Sequence, residues 1–140
     1  MRQRLAKAGL AGEVDVDSAG TGGWHAGDAP DRRAVAEAER RGVPMSGRAR
    51  QVGGGDLRDF DLIIAMDTGN LGELKQLAGD EQQRAKLHLL REWDPEAGPH
   101  ERSVPDPYYG GQRDFAEMFD IIERAADGFV AALGPQFGVK

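Results

Sequence analysis

Apolar residues in this chain follow two spacings, which predict helices that alternate with strands. One set of segments carries apolar residues every three to four positions, the period of an amphipathic helix; these are residues 2–10, 31–41, 70–78 and 114–133. A second set has the alternating or short apolar pattern of strands; these are residues 13–20, 60–67 and 86–90.

The order of these segments predicts an α/β fold. Strands that alternate with helices form a parallel sheet with helices on both faces. Asp31 is a plausible N-cap of the second helix, and Gly42 is a stop signal for it. A long irregular segment, residues 92–111, separates the last strand from the last helix. Irregular connections of this length inside a domain are uncommon and are often functional.

Composition narrows the class of protein. A chain of 140 residues is one domain. Its net charge of −6 and its lack of a basic run argue against a nucleic-acid or acidic-membrane partner. No apolar stretch is long enough to span a bilayer, and the first residues lack a signal-peptide pattern, so we predict a cytoplasmic protein. Cysteine is absent, which excludes disulfides, thiolate metal sites and a cysteine nucleophile within this sequence.

Three segments with unusual residues are predicted to meet at one edge of the sheet. In parallel sheets, ligands bind beyond the carboxyl ends of the strands. The segments 18–25 and 65–70 follow predicted strands, and the long loop carries Asp106. We therefore expect these segments to form the site.

Asp106 is the first candidate for chemistry. It stands between Pro105 and Pro107 in "SVPDPYYGG", and the two prolines restrict the backbone around it. A carboxylate near a bound anion has its pKa raised, which suits a general acid. The structural alternative is a turn in which the Asp106 carboxylate only caps neighbouring amides.

Aromatic residues accompany this carboxylate. Tyr108, Tyr109 and Trp24 could form walls on which an aromatic ring stacks, although aromatic residues after a turn also serve as lids on a core. His25 follows Trp24, but no second histidine stands at metal-ligand spacing, so a solvated loop histidine explains it. We predict no metal and no cofactor.

Other acidic residues allow a structural explanation. Asp67 follows a predicted strand and either orients groups in the site or caps the helix after it. Asp15 and Asp17 form a D-x-D pair, which some phosphoryl-transfer enzymes use with a metal, but a charged strand face explains the pair as well.

Several motifs together carry a resemblance to a known family. The stretches "VDSAGTGGWH", "ARQ", "FDLIIAMD" followed by Asn70 and Leu71, and "VPDPYYGG" occur in this order. Over nearly its whole length, the chain resembles the low-molecular-weight protein tyrosine phosphatases. The resemblance implies a phosphotyrosine phosphatase I-like fold, no cofactor, and hydrolysis of phosphotyrosine through a phosphocysteine. It also implies roles for matching residues: Asp106 as general acid, Trp24, Tyr108 and Tyr109 as pocket walls, and Ser18 and Asp67 as supports of the phosphate-binding loop.

The chain departs from this family at one place. Family members begin with a strand that leads into a C-x-x-x-x-x-R-S loop, and this sequence has no match for either. Arg48 and Arg50 do not match the arginine of that loop. We therefore expect one truncated domain, residues 1–140, with a parallel sheet of three to four strands and the first strand missing. The chain alone is expected to be inactive. Its expected partner, once the loop is supplied, is a phosphotyrosine protein or a small aryl phosphate.

Two other functions remain open at this stage. The first is a noncatalytic interaction module on the same fold. The second is a relative of the arsenate reductases, which need additional redox cysteines. The family's missing strand lies inside the sheet, so its absence leaves unpaired backbone groups and costs on the order of several kcal/mol. We expect instability, a strand-swapped dimer, or a strand supplied by a partner.

Overall fold

The computed structural model describes residues 1–10, 12–21, 31–43, 50–105 and 111–137. In these ranges helices surround a small sheet and precede a long C-terminal helix. The elements are α1 (Arg2–Lys7), α2 (Arg32–Arg40), α3 (Gly54–Asp59), β1 (Ile63–Ala65), α4 (Thr68–Leu77), α5 (Glu81–Arg84), β2 (Leu87–Leu89), a 3-10 turn (Leu90–Trp93) and α6 (Gln112–Phe137).

The two strands of the sheet run parallel. Ile63 lies opposite Leu87, and the N–H of Ile63 donates to the carbonyl of Lys86 at 3.0 Å. The chain crosses from β1 to β2 through α4 and α5, as a parallel connection requires. The predicted α/β class with a parallel sheet is confirmed.

The sheet of the described residues has two strands, fewer than the three to four expected. The predicted strand at 13–20 is present only as an isolated parallel bridge, which pairs Gly20 with Gln51. A strand needs a neighbour along its length, and residues 14–19 form no ladder with another described segment.

Local signals explain where α2 and α3 begin. Asp31 is the N-cap of α2, where its side chain accepts a hydrogen bond from the N–H of Arg33 at 2.8 Å, and Gly42 follows the helix with φ 69°. Both predictions are therefore confirmed. The sequence pattern did not predict α3. This helix begins after Gly53, whose N–H donates to the Asp56 carboxylate at 2.8 Å.

Helix α6 covers the core and contacts the 3-10 turn closely. A Cβ atom added to Gly128 would lie 2.0 Å from the carbonyl oxygen of Trp93, so this position requires glycine. The predicted apolar stripe of α6 is buried at Phe115, Ala125 and Phe129, among other residues. The core consists of three clusters: Leu90, Val104, Ile121 and Ala125; Leu5, Phe129 and Leu133; and Ala65, Leu74 and Leu89.

Two buried carboxylates connect α6 to the rest of the fold. Asp94, whose side chain is fully buried, accepts hydrogen bonds from Arg124 of α6 at 2.6 and 3.0 Å. These bonds hold the pKa of Asp94 below its usual value. Glu37 of α2 accepts from Arg41 at 2.7 Å and from Gln112 at 3.0 Å, and the bond from Arg41 lowers its pKa.

No helix in the described ranges combines the length and the hydropathy needed to cross a membrane.

Candidate functional site

A groove runs along one edge of β1. One wall is the segment Leu62–Met66, and the other is the segment 17–21. Residues from α3, α4 and the chain before them complete the lining: Arg50, Val52, Asp56, Phe60, Asn70 and Leu74.

Among the described residues, no strand pairs with the edge of β1 that faces the groove. In a parallel ladder, the N–H and C=O of alternate residues point to opposite sides. Because Ile63 bonds to the β2 side, the main-chain groups of Ile64 point away from β2. Within the described residues, the main chain of Ile64 has no backbone partner on that side. The opposite wall is paired on its outer side, where Gly20 exchanges two 2.8 Å bonds with Arg50 and Val52.

The open edge explains a difference from the sequence prediction. The continuous apolar run at 60–67 is typical of a buried strand, but only Ala65 of β1 is buried, while Ile63 and Ile64 are half-buried. Leu62 and Ile64 pack on the cluster of Leu5, Phe129 and Leu133. Their other surface lines the groove, since no strand covers it.

One end of the groove is polar and is organised by Arg50. The Arg50 guanidinium lies 3.1 Å from a carboxylate oxygen of Asp17 and 3.1 and 3.2 Å from those of Asp56. The hydrogen bond to Asp56 raises the pKa of Arg50, and the same bond lowers the pKa of Asp56. Two carboxylates therefore compensate the charge of Arg50, in agreement with its exclusion from the role of a phosphate-loop arginine.

Of the two supporting residues named by the sequence, Ser18 lies at this end, and Asp67 lies in the chain between the lining residues Met66 and Asn70. Ser18 lines the groove, and its N–H donates to the Asp17 side chain at 2.8 Å. Asp67 caps α4 and accepts from the N–H of Asn70 at 2.6 Å, so the capping explanation is confirmed. Asn70 lines the groove and donates to the hydroxyl of Thr21 at 3.3 Å. The support of a phosphate-binding loop by Ser18 and Asp67 stays a prediction.

The start of the loop that carries Asp106 is attached to the same end of β1. The N–H of Val104 donates to the carbonyl of Met66 at 2.7 Å, and the hydroxyl of Ser103 accepts from the N–H of Thr68 at 3.0 Å. Met66 directly follows β1, and Thr68 begins α4. The predicted convergence of this loop with the carboxyl end of a strand therefore holds as far as Pro105.

The other predicted site residues lie outside the described ranges. They are Asp106, Trp24, Tyr108 and Tyr109, together with His25 and Arg48. Sequence reasoning placed Asn70 at the site within the segment 65–70 but gave no individual role to Asn70, Asp56 or Ser103. Ser103 had one available signal, its place at the start of the stiff "SVPDP" stretch.

The described residues of the groove offer groups for hydrogen bonding. In the ranges that the structure describes, no group of three or more His, Cys, Asp or Glu side chains could hold a metal ion. The polar end presents the hydroxyls of Ser18 and Thr21 and the amide of Asn70. These groups can donate hydrogen bonds to a backbone segment or a loop placed beside β1.

Comparisons with known proteins identify the family. The family model of the low molecular weight phosphotyrosine protein phosphatases matches residues 1–137. The chain belongs to this family. The low molecular weight protein-tyrosine-phosphatase of Streptomyces coelicolor is 42% identical over 135 residues, which cover 96% of this chain and 82% of the relative.

Solved structures of phosphatases from the family share the fold. The protein tyrosine phosphatase of Entamoeba histolytica, crystallised with Hepes in its active site, matches with a TM-score of 0.90 and 30% identity, covering 96% of this chain and 84% of that one. YfkJ from Bacillus subtilis matches with a TM-score of 0.86 and 36% identity, covering 96% and 82%. The resemblance predicted from the motifs is therefore confirmed.

Proposed function

We propose that residues 1–140 are part of one phosphatase domain that, once a segment with the nucleophile is supplied, acts on phosphotyrosine in proteins or on small aryl phosphates in the cytoplasm. The observation that supports this most directly is the attachment of Val104 to Met66. It brings the start of the Asp106 loop to the end of β1 where Ser18 and Asn70 line the groove. Asp106 is the general acid of the proposal, and Trp24, Tyr108 and Tyr109 are the walls that hold the aromatic ring.

The nucleophile of the proposed reaction is not in this sequence. The family reaction uses a thiolate, which attacks phosphorus while Asp106 gives its proton to the leaving aryl oxygen; water then cleaves the phosphocysteine, and the Asp106 carboxylate takes a proton from it. This chain has no cysteine. The thiolate must therefore come from a segment outside these residues, and the chain alone is inactive. We place the strand of that segment in the groove beside Ile64.

The proposal is tested by supplying the missing parts. The chain is assayed with p-nitrophenyl phosphate and with a phosphotyrosine peptide, alone and with an N-terminal extension that carries a strand and a C-x-x-x-x-x-R-S loop. Activity is expected only in the extended form. The matched control changes the added cysteine to serine and must be inactive. An extended form that folds with a raised melting temperature and still hydrolyses neither substrate contradicts the proposal.

Asp106→Asn tests the proton donor in the extended form. Loss of general acid catalysis is expected to lower kcat by about 10² to 10⁴ and to leave KM nearly unchanged. Asp59→Asn is the control, because it makes the same change at an exposed position that does not line the groove. A kcat for Asp106→Asn equal to that of the unchanged extended form removes Asp106 from the role.

The open edge of β1 favours one second function, a noncatalytic module that binds an extended segment. Unpaired strand edges pair readily with other chains, and a strand-swapped dimer is the proposed form of this binding in the absence of a partner. Sedimentation velocity distinguishes the monomer, whose mass is 15.1 kDa, from a dimer of twice this mass. A stable dimer together with an inactive extended form favours the module over the enzyme.

A further inference from the structure

The segment before Asp106 is fixed at two consecutive residues. Val104 is 6% exposed and packs in the cluster of Leu90, Ile121 and Ala125, while its N–H is bonded to Met66. Ser103 is bonded through its hydroxyl to the N–H of Thr68. Pro105 follows and restricts its own φ. Little backbone freedom therefore separates these anchors from Asp106.

Arg91 adds a third bond to this segment from inside the protein. Its Nη1 donates to the carbonyl of Ser103 at 3.1 Å, and its side chain is only 7% exposed. The two residues are 12 positions apart, so this is a contact between separate parts of the chain. Burial of a guanidinium costs free energy unless the group is paired and hydrogen-bonded. The Arg91 guanidinium donates one of its hydrogen bonds to the segment next to Asp106.

The direction of Arg91 is fixed by Asp94. The fully buried Asp94 carboxylate accepts from Nη2 of Arg91 at 3.3 Å and from Arg124 at 2.6 and 3.0 Å. Arg124 belongs to α6. The position of the Ser103 carbonyl is therefore connected to the main helix of the core through Arg91 and Asp94.

We infer that Arg91 is a positioning residue for proton transfer by Asp106. It holds the Ser103 carbonyl, three residues before the acid, and so sets where the stiff V-P-D-P backbone begins. This inference rests on the proposed function. Loss of this bond frees the Ser103 carbonyl, and a resulting misplacement of a catalytic group by about 1 Å costs on the order of a hundredfold in rate.

The variant Arg91→Met tests the anchor in the 140-residue chain as it stands. In this variant Asp94 retains both bonds to Arg124, and exchange at the Ala65 amide, which faces β2, measures any general loss of stability. Amide hydrogen exchange at Val104 is expected to become at least about tenfold faster, because its bond to Met66 opens more often. Arg91→Lys keeps the charge and one donor and should restore part of the protection. Unchanged exchange at Val104 in Arg91→Met overturns the inference.

The catalytic effect is measured with aryl phosphates of different leaving-group pKa, in the extended form with its cysteine loop. A displaced acid matters most for the poorest leaving group. Every aryl phosphate gives the same phosphocysteine, so kcat/KM, which reports its formation, carries the dependence on the leaving group. Arg91→Met is therefore expected to lower kcat/KM for phenyl phosphate by on the order of tenfold to a hundredfold and to change kcat/KM little for a dinitrophenyl phosphate. Asp106→Asn shows how steeply kcat/KM depends on the leaving group when the acid is absent. A role in stability alone would lower kcat/KM for all substrates equally, and that result overturns the inference.

Failure of the proposed function has a different signature. If the extended form is folded but inactive while Val104 loses protection in Arg91→Met, the anchor exists and the phosphatase proposal is wrong, and the catalytic role of Arg91 is overturned with it. If the extended form is active and its leaving-group dependence does not respond to Arg91→Met, the inference alone is overturned.

Discussion

The two edges of β1 have opposite surroundings. On one edge, β2 pairs with the strand in register, and the 3-10 turn that follows β2 is held to α6 by the buried pair of Asp94 and Arg124. On the other edge, the groove leaves the main chain of Ile64 without a backbone partner among the described residues. We therefore expect stability to be concentrated on the α6 side of the strand. The groove side carries the polar groups assigned to function.

The largest expected effect on stability is on the closed side of β1, the side that faces β2 and α6. Asp94→Asn removes the fully buried carboxylate that Arg91 and Arg124 share and leaves them only the exposed carboxylates of Glu101 at 3.7 Å and Glu96 at 3.1 Å. This change is expected to cost about 3 to 5 kcal/mol in the free energy of unfolding. Urea denaturation measures this change. The matched control is Asp127→Asn, also an acidic residue paired with an arginine, Arg4 at 2.8 Å, but 61% exposed. Its cost should stay below about 1 kcal/mol. Equal costs for the two variants would contradict the comparison.

The difference in stability between the unchanged chain and Asp94→Asn is also expected to depend on pH. Hydrogen bonds from Arg124 lower the pKa of Asp94 in the folded protein. The stabilisation is therefore present above the unfolded pKa of about 3.9 and is lost as pH falls through the lower, folded value. The difference in stability between the unchanged chain and Asp94→Asn should be constant near neutral pH and shrink below about pH 4. A constant difference down to about pH 2 would show that Asp94 is not the group responsible.

The second largest loss of stability is expected where α6 packs closely against the 3-10 turn. In Gly128→Ala the new methyl group would lie 2.0 Å from the Trp93 carbonyl, so α6 and the 3-10 turn must separate. We expect a loss of about 1 to 3 kcal/mol. Gly72→Ala in α4 is the control, because nothing lies within 4 Å of its added Cβ. That variant should be neutral or stabilising by up to about 1 kcal/mol. Thermal unfolding of both variants measures these two changes in stability.

The smallest effect is expected at the groove. Arg50→Met removes two ion pairs, to Asp17 and Asp56, but the Arg50 side chain is 38% exposed. Exposed pairs contribute little, so we expect a loss of about 0 to 1 kcal/mol. Arg50→Lys keeps the charge and is the control. A loss from Arg50→Met as large as that from Asp94→Asn would mean that the groove side also carries the stability of the fold.

Sequence reasoning reached the fold class and the family but not the details that depend on tertiary contacts. Asp31 and Gly42 predicted the start and end of α2 because caps act locally. Helix α3 was missed because the glycines at 53–55 weigh against a helix, while the Asp56 cap supports one. The half-burial of β1 could not be predicted from its apolar run, because burial depends on whether a neighbouring strand is present.

The candidate site also contains residues that the sequence predicted and a residue that it did not. Ser18 and Asp67 were found from motifs, and both lie at the polar end of the groove or at the helix cap beside it. Arg91 gave no signal in the sequence, because a charged residue in an irregular stretch has no periodicity and its partner Asp94 pairs with Arg124, 30 residues away. Only the folded chain brings these groups together.

Amide hydrogen exchange along β1 of the 140-residue chain tests the central claim most directly. The N–H groups of Ile63 and Ala65 face β2, and the N–H of Ile64 faces the groove. The account predicts that Ile64 exchanges at least about tenfold faster than both neighbours, and that an added strand in the extended form removes this difference. Equal protection of the three amides in the chain alone would contradict it, since the second edge of β1 would then already be closed.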